Sequence, residues 1–171
     1  MKKILLMIFS LFLFLTTISF AQDIDINKLS NSLRDKSFSV KTFKDTEYEP
    51  AYIYYDFSKK DGQFEILASV TVTEDGQLKK IFLKSSHIHL KPNLASIQSN
   101  FSKIENPFIN AIEDTELKNI FKDAITNLPE KFKGEKFEVS TFKTKNSIDI
   151  NIDEKQPEFD WSKYATPSKS E

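Results

Sequence analysis

The chain has no cysteine. A disulfide framework, a Cys-based metal site and a thiol nucleophile are therefore excluded, and no lipid-attachment Cys follows the leading apolar run. Glycine is almost as scarce, with only Gly62, Gly76 and Gly134. Neither a phosphate-cradling loop nor a strained Gly-x-Ser-x-Gly elbow can be made from three isolated glycines. Charge of one sign is lacking as well: Lys and Arg number 24 against 25 Asp and Glu, and the two signs alternate along most of the chain. That is the pattern of a solvated surface with interspersed charge, and it argues against nucleic acid as the main partner.

What is present begins with an export signal. Lys2 and Lys3 form a positive start, Ile4 to Leu15 an apolar run, and Ser19 and Ala21 the small residues that signal peptidase requires. Cleavage after Ala21 would make Gln22 the new N-terminus and place the protein in the periplasm or outside the cell. The alternative is a retained anchor, since Ile4 to Phe20 runs for 17 residues without a charge, at the lower limit of a membrane span. Membrane contact is expected only if the signal stays attached. The remaining 150 residues suit one domain with its own core. Sixteen Phe and five Tyr supply the apolar material.

Along this stretch, Ile26, Leu29 and Leu33 have helical spacing in a lead-in segment taken as residues 22–60. Phe38, Val40 and Thr42, then Tyr52 to Phe57, predict extended segments. Phe64, Ile66, Ala68, Val70 and Val72 alternate with mostly polar residues, and Asp75-Gly76 leads into a second apolar run from Leu78, which predicts an antiparallel hairpin. Leu94, Ile97, Phe101 and Ile104 predict a helix that Pro107 interrupts. A second helix is expected from Asp114, with Leu117, Ile120, Phe121, Ala124 and Ile125 on one stripe, ending at Leu128-Pro129. Phe137, Val139 and Thr141 alternate, as do Ile148, Ile150 and Ile152 on the other parity, so a bulge or turn near 144–147 must switch faces. The fold class that follows is α+β: a small antiparallel sheet, three-stranded at its core, of hairpin and closing strand, with helices packed on one face. Residues 61–152 form the domain and 153–171 a tail in which Phe159, Trp161 and Tyr164 are the residues able to dock.

Two segments, ILASVTVTEDGQLKKIFLKSS and FKDAITNLPEKFKGEKFEVSTFKTKNSIDI, resemble the C-terminal domain of TonB-type energy transducers, a periplasmic β-β-α-β module. Ala124, Leu128 and Pro129 fall where that family ends its helix in a Leu-Pro or Met-Pro step, Gly134 at its glycine before the last strand, and Ile148 and Ile150 at its closing apolar alternation. The chain departs from the family in having Phe132 and Lys133-Gly134 where a Trp and a Pro-Gly are usual. Its link between hairpin and helix is longer, and the Pro-rich spacer of a full transducer is missing, which points to a stand-alone or divergent member. The resemblance implies strand addition, in which a peptide of another envelope protein pairs with an exposed sheet edge. Lys136 to Phe142 is then the candidate edge, with Lys136, Glu138, Ser140 and Phe142 as partner-binding residues. The bland alternative is that the same charges only guard the edge against aggregation.

His87 and His89, two apart on a strand, would face one way, yet no third ligand is spaced to join them, and no metal or other cofactor is expected. The acidic pairs Glu74-Asp75 and Glu113-Asp114 fit a turn and a helix start rather than acid–base catalysis. No catalytic residues are assigned. The function expected is an exported, non-enzymatic protein-interaction domain, with a periplasmic carrier of a lipid or other apolar ligand as the alternative.

Overall fold

The computed structural model describes residues 22–47, 49–88 and 93–156. Residues 1–21, where an export signal is expected, His89 and the segment 157–171 with its three aromatics lie outside the described residues. Helix α1 (Ile26–Asp35) starts at Asp25, whose carboxylate accepts the Lys28 amide at 2.9 Å, and buries Ile26, Leu29 and Leu33 at the spacing that predicted it. Strands β1 (Ser39–Asp45), β2 (Tyr52–Asp61), β3 (Phe64–Thr73) and β4 (Leu78–His87) follow as an antiparallel meander. Three helices come next, α2 (Leu94–Ser99), α3 (Ser102–Ala111) and α4 (Thr115–Asn127). Strands β5 (Lys131–Lys133), β6 (Phe137–Lys143) and β7 (Ser147–Glu154) close the fold.

All seven strands form one antiparallel sheet in the order β1-β2-β3-β4-β7-β6-β5. The sheet is thus wider than the three-stranded core expected from the hairpin and last strand. Residues 22–60 contribute α1, β1 and β2 to the same sheet and core. Pairing places Val40, Phe57, Ala68, Leu83, Ile150 and Thr141 in one cross-strand row, and Thr42, Tyr55, Val70, Ile81, Ile152, Val139 and Phe132 in the next. These rows form the face on which the helices pack, because side chains two apart share a face.

The hairpin closes as its sequence requires. Gly76 takes φ +90°, a region costly for any residue with a Cβ, its amide donates to the Thr73 carbonyl at 2.9 Å, and Thr73 donates to Gln77 at 2.8 Å. Residues 144–146 are a turn between two short strands, organised by Thr144 Oγ1, which accepts from the amides of Asn146 at 3.1 Å and Ser147 at 2.9 Å. Asp114 caps α4 by accepting from Leu117 at 2.7 Å. At the far end Leu128 adopts φ +49° and its amide donates back to Ala124. Pro129 then prevents any further turn.

One expected boundary moves. The helical run from Leu94 breaks at Asn100-Phe101, and α3 continues straight through Pro107. A proline there forfeits only the hydrogen bond that its amide would have donated to Lys103, which is partly exposed to water, while the ring itself is buried in the core.

The core is aromatic. Phe57, Phe101, Phe108, Phe121 and Phe137 are fully buried, and the rings of Phe108 on α3 and Phe121 on α4 stack with centroids 4.9 Å apart. Thr141 interrupts the apolar row of β6, and its buried hydroxyl has no hydrogen-bond partner among the described residues. Two substitutions should therefore move stability in opposite directions. Phe108→Ala removes a ring from a closed core and is expected to cost about 3–5 kcal/mol in denaturant unfolding. Thr141→Val replaces an unsatisfied hydroxyl with a methyl of the same shape and is expected to stabilise by about 1 kcal/mol in the same titration.

Candidate functional site

Because the helices cover one face, the opposite face and the two outermost strands are what the sheet offers to a partner. On that opposite face Phe43, Tyr54, Thr71, Lys80, Asp153, Glu138 and Lys133 form one row. Charges of opposite sign meet across its centre, Lys80 with Asp153 and Lys84 with Asp149, each at 3.2 Å. Such half-exposed pairs fix register more than they stabilise.

Within the segment 136–142, residues 138–140 are covered by a further strand and are not an edge. Strand β6 lies between β7 and the three-residue β5, so that Glu138 is paired with Lys133 and Asp153, and Ser140 with Lys131 and Asn151. The Thr141 amide is taken by the Glu130 carbonyl at 3.2 Å. The chain doubles back after Pro129 and uses the edge that the sequence reading left open. Glu138, Ser140 and Phe142 share one face and line a shallow cleft of about 340 Å³ with Lys131, Phe132 and Lys133. Phe142 is 63 % exposed. Lys136 is not part of this group: its ammonium is paired with the Asp23 carboxylate and sits 5.0 Å from the centre of the Phe137 ring.

The loop before β6 is built tightly. Glu116, in the first turn of α4, accepts from the amides of Glu135 at 2.6 Å and Lys136 at 3.1 Å. Gly134 makes room for that carboxylate, since a Cβ at position 134 would run into Glu116 Oε1 and come within 2.8 Å of Ile120. The family-like glycine is thus explained here by close approach of a helix side chain. Its backbone is not in the left-handed region.

At the other end of the sheet, β1 is seven residues long and among the described residues pairs only with β2. It is the exposed strand of the fold, with Ser39, Lys41, Thr42, Phe43 and Lys44 all open to solvent. Phe43 is 61 % exposed and packs its ring against Tyr54 of β2, centroids 5.8 Å apart. Lys44 is held by Glu74 at 2.7 Å, and Lys41 stands opposite Asp56. The sequence reading passed over this edge. The available signal was the poor alternation of Ser39 to Asp45, which shows no clean buried parity, as befits a strand at the margin of the core.

His87 ends β4 with its ring edge-on to Phe64, centroids 4.8 Å apart. No group of three His, Asp or Glu side chains arranged to hold a metal occurs among the described residues. Two other clefts among the described residues are lined mostly by polar residue types. One of about 630 Å³ is lined by Lys79, Lys133, Glu138, Asp153, Glu154 and Lys155, and one of about 500 Å³ lies between the Asp61–Phe64 turn and the Ser96–Lys103 segment. The largest buried rings fill the core. Lys103 donates to Asp61 at 2.6 Å and holds its carboxyl below the usual carboxylate range; the Thr73 hydroxyl does the same for Asp75.

Comparison with protein-family models, curated proteins and solved structures finds no match to this chain.

The Asp61 pair offers a direct check on this geometry. A folded-state pKa held below the ordinary value favours the fold above the unfolded pKa of about 3.9, and that contribution fades as pH falls through the lower, folded value. Both side chains are open to water, so the effect reads in the titration rather than in stability. Lys103→Met should raise the Asp61 carboxyl pKa toward the ordinary value in an NMR pH titration and leave Asp75 unmoved.

Proposed function

We propose that this protein is a non-enzymatic interaction domain of the bacterial envelope that takes an extended peptide of another envelope protein onto the open edge of its sheet. The observation that carries the proposal is β1, a seven-residue strand at the sheet edge with a pairing partner on one side only among the described residues. In a strand, main-chain N–H and C=O groups point alternately to either side, so an edge of this length presents a row of them to an incoming chain. Main-chain hydrogen bonds would supply affinity, and side-chain contacts would set register. Phe43 and Tyr54 give an added strand an aromatic surface beside it.

Two sequence features support the setting. The Lys2 to Ala21 segment has the parts of an export signal, and residues 64–152 resemble the TonB-type domain, whose mode of action is strand addition. With β5 paired along residues 138–140, we take Ser39–Asp45 rather than Lys136–Phe142 as the docking edge. At that end β5 leaves only a three-residue edge.

Adjacent residues aim their amides to opposite sides, which makes a paired test available. Lys41→Pro and Thr42→Pro are made separately, each in a chain bearing a photo-crosslinking side chain at position 43. One proline removes an amide from the β1–β2 ladder and should cost about 1 kcal/mol or more in thermal unfolding. The other removes an outward amide and should leave the unfolding midpoint close to that of the parent. Crosslinking in the intact envelope is expected from the parent and expected to fail in the stable proline variant. Undiminished crosslinking in both variants would sink the edge reading.

A further inference from the structure

We propose that Gln22 is a modification site, at which the N-terminal glutamine left by leader removal closes on its own side chain to form pyroglutamate. The proposal rests on the reading that residues 1–21 are cleaved after Ala21, and it asks what the structure does with the end so created. The chain is anchored from its second mature residue onward. Asp23 is 6 % exposed, its carbonyl accepts the amides of Glu113 at 3.0 Å and Asp114 at 3.3 Å, and its carboxylate accepts the Leu78 amide at 3.3 Å and the Lys136 ammonium. Ile24 is fully buried and bridged to Ile112, and Asp25 donates its amide to Ala111 at 2.8 Å. Gln22, by contrast, is exposed. Of the residues around the proposed cut, it is the one that combines a free α-amine, a primary amide and access to solvent.

The side chain of Gln22 lies over Gly76, where a Cβ would come within 3.3 Å of Nε2, 3.6 Å of Cγ and 3.7 Å of Cδ. The glycine that the hairpin needs for its positive φ therefore also leaves room for the exposed Gln22 side chain. In the reaction the uncharged α-amine attacks Cδ, a new N–Cδ bond forms, the Cδ–Nε2 bond breaks, and the proton given up by the attacking nitrogen leaves with the amide nitrogen as ammonia. Nothing is oxidised or reduced and no co-reactant is consumed. An α-amine with a pKa near 8 is partly uncharged at neutral pH, so the nucleophile is available. The product carries no terminal charge and offers aminopeptidases no free amine, which protects the end of a chain whose next residues belong to the core.

The test is the intact mass and N-terminal sequencing of the full chain exported in a bacterial host and recovered from the envelope fraction, with Gln22→Asn in parallel. The expected result is a mass equal to residues 22–171 less one ammonia, a blocked terminus, and unblocking by pyroglutamyl peptidase. For Gln22→Asn the mass should be complete and the terminus readable, because its shorter side chain cannot close a five-membered ring on its own amine. A parent protein that starts at Gln22 with full mass and a readable terminus overturns the cyclisation while keeping the cleavage. A start at Met1 or at any other residue overturns the cleavage itself, and the modification with it.

Discussion

The seven strands become one sheet only where Lys80–Ser86 lie against Ser147–Asp153. On one side of that seam stands a meander whose neighbours in the sheet are neighbours in sequence; on the other, a hairpin and a short return strand. Joining them closes a loop of roughly sixty residues, a cost that grows only slowly with length but must be met by contacts made at the seam. The contacts are apolar and central: Ile81 faces Ile152 and Leu83 faces Ile150, all four fully buried. Every helix between the two halves depends on this pairing for a continuous floor. Ser85 is the one polar side chain of the seam's core face, and its hydroxyl is satisfied by donating to the Ile97 carbonyl of α2 at 2.8 Å. The same residue thus ties strand to helix at the point where the chain leaves the meander.

A second constraint acts at right angles to the first. Asp23 gathers the start of the domain, the β3–β4 hairpin, the α3–α4 junction and the loop before β6 around one carboxylate and one carbonyl. A carboxylate buried to this degree is tolerated only when its oxygens are filled by donors, and here an amide and an ammonium fill them. Glu116 repeats the device nearby, holding the amides of residues 135 and 136. These two acids hold the loop by which the chain passes from β5 into β6. Neither has a periodic signature, which is why sequence patterning passed over both.

What the sequence revealed follows from range. Elements set by local chemistry were legible: the Asp75-Gly76 hairpin, the Asp114 cap, the Leu128-Pro129 stop and the two apolar alternations near the end all appear where their residues placed them. Elements set by distant partners were not. Lys131–Lys133 carries no strand signal of its own and is extended because β6 offers it hydrogen bonds. Of the residues picked as partner-binding, Lys136, Glu138, Ser140 and Phe142, that unpredicted strand covers Glu138 and Ser140, and Lys136 turns to Asp23 instead. Pro107 misled in the opposite sense: its local veto on a helix was overridden by burial of its ring in the core.

The two ends of the sheet solve the edge problem differently, and the difference carries the functional argument. At β5 the remedy is shortness, three residues between Glu130 and Gly134, leaving little ladder for another chain to join. At β1 the strand is long, and the guards are lysines. A lysine guards an edge well when its ammonium is free to lie across the open ladder. Lys44, however, is drawn to Glu74, the residue that follows β3, and Lys41 has Asp56 directly opposite on β2. The Lys44 charge is thereby drawn toward the sheet and away from the open side. An exposed aromatic at position 43 beside them would be a liability on a surface meant only to stay alone. Under the proposed reading, a long edge with Lys44 drawn back and an exposed ring suits accepting a strand better than refusing one.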